Sequence, residues 1–116
     1  MLTQGLDMVL IMVTDTSRSV AWYRDVLEMT VRMHHGDFAL LDAAGTTVAL
    51  HGGAEPAAAT GNQGTLAVFR VADYAAAKAT LEDRGCRFTF ENTQGSSTFG
   101  TFLDPDGTPI QIIQRG

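Results

Sequence analysis

One pattern occurs twice in this chain of 116 residues, and that repeat limits the possible folds more than any other feature. Val13-Thr14-Asp15 opens an amphipathic segment, and 58 residues later Val71-Ala72-Asp73 opens another. Further on, Asp42-Ala43-Ala44-Gly45-Thr46-Thr47-Val48-Ala49-Leu50 is answered 62 residues later by Asp104-Pro105-Asp106-Gly107-Thr108-Pro109-Ile110-Gln111-Ile112. An offset that drifts by only four residues over this length is what two copies of one folding unit produce. The repeat also identifies which positions of the two copies are equivalent, and so which side chains should share a role.

Each copy reads as strand, helix, strand, strand, strand. Leu6 to Val13 is an apolar run of strand length, with Met8, Leu10 and Met12 on one alternate face and Val9, Ile11 and Val13 on the other. Asp15 or Thr16 suits the start of a helix, because a short oxygen-bearing side chain accepts from the free amides there. Val20, Tyr23 and Leu27 then recur at three- and four-residue steps along one helix face. Extended segments follow at Met29 to His34, Asp37 to Leu41 and Thr47 to His51, with turns at His35-Gly36 and at Asp42 to Gly45. Gly52 to Gly64 is rich in Gly and Ala, contains Pro56 and shows no period, so it reads as a linker. The second copy has a strand at Thr65 to Val71 and a helix capped by Asp73 with Tyr74, Ala77 and Leu81 on one face, ended by Gly85. Strands at Arg87 to Asn92, Thr98 to Leu103 and Ile110 to Gln114 complete it, with Asp104-Pro105-Asp106-Gly107 as the tight turn.

Composition narrows the class of protein. At 45% hydrophobic and 18% charged, 116 residues suit one globular domain, 1–116, with modules at 1–51 and 65–116 joined by 52–64. The run Met8 to Val13 is far too short to span a membrane and lacks the flanks of a signal peptide, so a cytoplasmic protein with no membrane partner is expected. Cys86 has no second cysteine to pair with; close to Phe88, it is expected to pack at a strand edge rather than act as a nucleophile. A net charge of -5 argues against nucleic-acid binding and weakly favours cationic ligands. No nucleophile triad or phosphate loop is visible, and the spacing of His34, His35 and His51 matches no zinc site.

The Val-x-Asp helix starts, the Ala21-Trp22-Tyr23-Arg24-Asp25-Val26-Leu27 stretch and the Asp-Pro-Asp-Gly turn before the last strand resemble the vicinal oxygen chelate superfamily, across nearly the whole chain. That superfamily includes glyoxalase I, bleomycin-resistance proteins, extradiol dioxygenases and fosfomycin-resistance enzymes. The resemblance implies an α+β fold in which two βαβββ modules form a cup-shaped curved mixed sheet, with the ligand inside and the helices outside. It also implies a homodimer. Metal-dependent members take ligands from inward positions on the first and last strands of each module. Carried over by motif, these positions are Met8, seven residues before Asp15, and Leu66, seven before Asp73, together with Gln111 after the turn glycine and its counterpart Ala49. Thioether, methyl and isobutyl groups cannot replace imidazole and carboxylate donors, so neither a metal nor another cofactor is expected.

Strand alternation assigns to the inward face Met8, Leu10 and Met12; Thr47, Ala49 and His51; Leu66, Val68 and Arg70; and Pro109, Gln111 and Ile113. The opposite alternates are uniformly apolar and should lie under the helices. His51 is the candidate for a polar anchor or catalytic base, against a bland reading as a strand-end histidine partly in solvent. Of His34 and His35, at most one can face the cup. Arg70 suits an acidic group on a ligand or an edge ion pair, and Gln111 suits ligand orientation or a bond to a neighbouring strand. Met8 and Met12 offer adaptable surface to a planar ligand or to a second subunit. Trp22 is expected to pack against the sheet. The expected ligand-binding set is therefore Met8, Met12, Ala49, His51, Leu66, Arg70 and Gln111. The function this implies is metal-free binding and sequestration of a small molecule, a drug or metabolite of aromatic or cationic character. The alternatives are a lyase, isomerase or dioxygenase with a non-standard site using His51 and Gln111, and a non-catalytic regulatory subunit.

Overall fold

The computed structural model describes residues 1–55 and 64–116; the linker expected over 52–64 lies, from 56 to 63, outside the described residues. Two compact units divide the chain, Met1–Ala59 and Thr60–Gly116. The first contains β1 (Val9–Met12), α1 (Thr16–Asp25), β2 (Thr30–His35), β3 (Phe38–Ala43) and β4 (Thr46–His51). The second contains β5 (Ala67–Arg70), α2 (Tyr74–Asp83), β6 (Phe88–Gln94), β7 (Ser97–Leu103) and β8 (Pro109–Gln114). Each unit is one four-stranded mixed sheet, ordered β1-β4-β3-β2 and β5-β8-β7-β6, so each is a βαβββ module of an α+β fold. The first and last strands of each module run parallel and the remaining pairs are antiparallel.

The two modules repeat each other at the level of single hydrogen bonds. Asp15 and Asp73 cap their helices with the same backbone, φ -137° in both, and their carboxylates accept from the amides of Arg18 and Ala76 at 3.1 and 3.0 Å. Before each cap, the Val13 amide donates to the His51 carbonyl at 3.0 Å and the Val71 amide to that of Ile113 at 2.9 Å. Both inner hairpins turn on a glycine at the first of two loop positions, Gly36 and Gly95, with φ of +59° and +62°, the left-handed geometry that suits a tight turn between twisted strands. The four-residue drift comes mainly from that hairpin. Six residues separate the register partners Met33 and Leu40, and ten separate their counterparts Phe90 and Thr101.

Several boundaries move from those expected. β1 begins at Val9 and not at Leu6, since Gly5 and Asp7, poor strand formers, precede it. β3 runs through Ala43, so the turn to β4 is Ala44-Gly45 alone, with φ of +51° and +102°. Met29 lies outside β2, buried, its amide donating to the Tyr23 carbonyl at 3.1 Å. Leu27 falls past the end of α1, and the face this helix buries is Thr16, Ser19, Val20 and Tyr23.

The apolar alternates lie under the helices as their uniform character implied. Ile11, Val13, Leu41, Val48 and Leu50 are buried in the first module, where α1 packs on β2, β3 and β4. Phe102, Ile110 and Ile112 are buried in the second, where α2 packs on β8. Trp22 is half-buried against Tyr23, ring edge to face at 4.9 Å. Cys86 is buried, which pushes its thiol up and away from nucleophilic use.

The modules fill the space between helix and sheet differently. Module 1 sets Thr16 at the helix start, where its hydroxyl donates to the Asp37 carbonyl at 2.7 Å beside the Gly52 amide, which donates to the same oxygen. A Cβ at Gly52 would collide with Thr16 Oγ1. Module 2 sets Tyr74 there, and its ring fits because Gly100 has no Cβ to meet the Tyr74 hydroxyl and the Phe88 ring. The Tyr74 hydroxyl donates to Glu91 Oε2 at 2.8 Å and Lys78 Nζ to Oε1 at 2.6 Å, with Lys78 also 5.6 Å from the Phe88 centroid. Burial, reinforced by Glu91, pushes the Tyr74 phenol up, while bonds from Lys78 and Tyr74 hold the Glu91 carboxyl below its ordinary range.

Two tests follow from these contacts. Gly52→Ala should lower unfolding stability by about 1–3 kcal/mol through overpacking, whereas Ala44→Asn, which suits the left-handed turn, should raise it by about 0.5–1 kcal/mol. Equal urea midpoints for these variants and the parent would refute both assignments. The Glu91 carboxyl is lowered on folding, so its contribution is present above the unfolded carboxyl range, near pH 4, and is lost as pH falls through the folded value. Glu91→Gln should therefore be less stable than the parent at pH 7, and the gap should close toward pH 3; a gap independent of pH would show that the carboxylate has no such role.

Candidate functional site

Each sheet has one face under its helix and one without a helix, and the register places Met12, Ala49, His51, Arg70 and Gln111 on the second. In module 1, Leu10, Ala49, Leu40 and Met33 form one row across β1, β4, β3 and β2. Met12, His51, Phe38 and His35 form the next. In module 2 the corresponding rows are Val68, Gln111, Thr101 and Phe90, then Arg70, Ile113, Phe99 and Asn92. Rows along a strand are separated by two residues, about 7 Å.

Met12, Ala49 and His51 are thus brought together in module 1, and Arg70 and Gln111 in module 2. Met8 and Leu66 precede their strands, the first half-buried and the second exposed. Ala49 is fully buried between its register partners Leu10 and Leu40. His51 is exposed at the end of β4, with the Phe38 ring edge-on at 6.1 Å, so it stands open to solvent beside an aromatic wall. His35 shares that face, because it pairs with Phe38, while His34 pairs with Ala39 and takes the opposite side. The Gln111 amide nitrogen donates to Thr101 Oγ1 at 3.1 Å, the bond to a neighbouring strand that was one of its two readings. Arg70 is exposed and forms no ion pair among the described residues.

Sequence reasoning took the face from the parallel strand pairs and missed what the hairpins add. Met33, Phe38 and Leu40 in module 1, and Phe90, Phe99, Thr101 and Leu103 in module 2, all lie on the helix-free faces. The signal was present in the tight Gly36-Asp37 turn, which sets His35 against Phe38 and thereby fixes the pairs as far as Met33 with Leu40. A register slip intervenes between Val31 and Met33, and another between Phe88 and Phe90, and simple alternation along β2 and β6 does not survive them.

Leu10 and Phe90, each 51% exposed, lead a set of open apolar side chains that includes Met12, Met33, Val68 and Leu103, all on these faces. The donor set does not fit a divalent metal: Met8, Ala49 and Leu66 have no hard donor, and Gln111 has only a neutral amide already bonded through its nitrogen. Among the described residues, no three His, Cys, Asp or Glu side chains gather into a candidate metal site. No helix among them is long and apolar enough to cross a membrane.

This architecture, a tandem of βαβββ modules each with an open sheet face, defines a class of small-molecule binding proteins and enzymes. The chain belongs to the Glyoxalase/Bleomycin resistance protein/Dioxygenase superfamily, whose family profile matches residues 5–112. Among solved structures it is similar to TnmS3, an antibiotic binding protein from Streptomyces sp. CB03234, with a TM-score of 0.84 and 18% identity over 100% of this chain and 99% of that one. It is similar also to lactoylglutathione lyase from Agrobacterium tumefaciens, with a TM-score of 0.77 and 14% identity over 97% and 94%. A superfamily member from Sphaerobacter thermophilus DSM 20745 gives 0.75 and 20% over 99% and 100%. A comparison with curated proteins finds no match. Binding proteins and enzymes share this fold at such identities, so function must be argued from the faces themselves.

Proposed function

We propose that this protein binds a small, largely apolar molecule without a metal and acts by sequestering it. The observation that carries the reading is the exposed apolar and aromatic character of the helix-free faces, where the metal-ligand positions hold Met8, Ala49, Leu66 and Gln111. Apolar area supplies the affinity in such sites, and a few polar groups orient the ligand. The likeness in fold to an antibiotic binding protein supports a drug or drug-like metabolite as ligand. The same open apolar surface would serve a homodimer, for which light scattering should give twice the chain mass.

A catalytic reading rests on His51, which is exposed on the face beside Phe38 and in reach of a bound molecule. The two readings separate on three variants. If the protein sequesters its ligand, Leu66→Asp and Met8→Asp, which set an unpaired charge against an apolar molecule, should each weaken binding more than tenfold in titration calorimetry, and His51→Ala far less. EDTA should leave the affinity unchanged. If His51 is a general base, His51→Ala should abolish turnover while affinity is kept, and sequestration is then the wrong description.

A further inference from the structure

On the helix-free face of module 2, one charged side chain stands among apolar and aromatic ones. Arg70 is the last residue of β5, exposed, with Ile113 as its register partner and Phe99 beyond it on β7. It has no ion pair among the described residues, and residues 56–63 contain neither Asp nor Glu to supply one. Other cations are paired with acids: Arg24 with Asp25, Arg32 with Asp42 and Lys78 with Glu91. One row away, about 7 Å along the strands, Gln111 bonds to Thr101. That bond uses an amide hydrogen of Gln111 and a lone pair of Thr101, which leaves the Gln111 carbonyl as an acceptor and the Thr101 hydroxyl hydrogen as a donor, side by side. The rings of Phe90 and Phe99 lie on the same face, 6.2 Å apart and tilted by 40°.

These groups describe a ligand. A guanidinium is planar, always charged and shaped to hold a carboxylate through two parallel hydrogen bonds, and it gains most where its neighbours are apolar. Phenyl rings farther across the same face accept a planar body at little conformational cost. A spacing of about 7 Å between the Arg70 row and the Gln111 row suits a molecule of two fused rings that has its acid at one end and a polar substituent at the other. Resting on the reading that these faces bind a small molecule, we propose that module 2 selects a planar aromatic carboxylate, held by Arg70 at its acid and by Phe90 and Phe99 at its rings. The net charge of -5 favours cations at long range, but within a Debye length, about 8 Å, Arg70 sets the local sign. The position equivalent to Arg70 in module 1 is Met12, so the selection belongs to module 2 alone.

The test uses three probes of one shape on the full chain: 2-naphthoate, 2-naphthylmethanol and 2-naphthylmethylammonium, titrated calorimetrically at 0.15 M salt. Naphthoate should bind at least tenfold tighter than the ammonium. Arg70→Gln should weaken naphthoate about tenfold, as loss of a charged hydrogen bond does, and leave the alcohol unchanged. Arg70→Lys should keep part of the preference. The melting temperature of both variants should match the parent, because Arg70 supports nothing inside the fold. If the ammonium or the alcohol binds as well as naphthoate, or if Arg70→Gln changes nothing, the carboxylate selection is overturned while small-molecule binding stands. If none of the three binds, the selection and the binding role of this face fall together.

Discussion

The parallel pairing of first and last strands is the constraint on which each module depends. Within its own sheet, among the described residues, β1 has β4 as its one neighbour and β5 has β8, and four register pairs hold each there. That pairing decides which alternates of the outer strand lie under the helix and which lie on the open side. A slip of one residue would exchange Ile11 with Met12, or Phe69 with Arg70, and would bury a charge while exposing the core. The register is fixed at the C-terminal end of the pair. Val13 and Val71 each donate to a carbonyl at the C-terminal end of the partner strand, and the aspartate caps that follow at Asp15 and Asp73 start each helix at the same distance beyond it.

Much of this was legible in the sequence because it is local chemistry. An aspartate two residues after an apolar run announces a helix cap, and Gly36 and Gly45 mark hairpin turns without reference to anything distant. The equivalence of the modules came from the same signals. The linker expected at 52–64 rests on a loss of period alone. What could not be read was set by tertiary accommodation. The exchange of Thr16 for Tyr74 at the helix start requires Gly100 on a strand far away in sequence, and only side-chain volumes in place explain it. For the candidate site, alternation gave the faces of the parallel strand pairs, whereas the slips in β2 and β6 hid the share of the hairpins. Whether Gln111 spends its amide on Thr101 or on a ligand, and whether Arg70 finds an acid, depend on neighbours that only the register supplies.

The two modules agree on one face and differ on the other. Under the helices the equivalent pairs are apolar in both, such as Ile11 with Phe69, Val48 with Ile110 and Leu50 with Ile112. On the open faces they part: Met12 corresponds in the repeat to Arg70, Ala49 to Gln111, and His51 to Ile113. A repeated scaffold thus presents two unlike surfaces, one with histidine and methionine, the other with arginine, amide and phenyl groups. Packing requirements keep the buried alternates apolar, and nothing in the fold requires the open ones to match.

The edge position of β1 and β5 has a consequence for how the molecule opens. The inner hairpins are closed by two-residue turns and form among near neighbours in sequence, on a timescale of about 1–10 μs. The outer strands must instead be brought back across a helix and a hairpin before they make their first bond, so they join late and leave early. Met12 and Arg70 are carried on those late strands. Small fluctuations would therefore detach one flank of each open face while the helix-covered core stays intact, and any molecule seated against that flank would hold the last-formed strand in place.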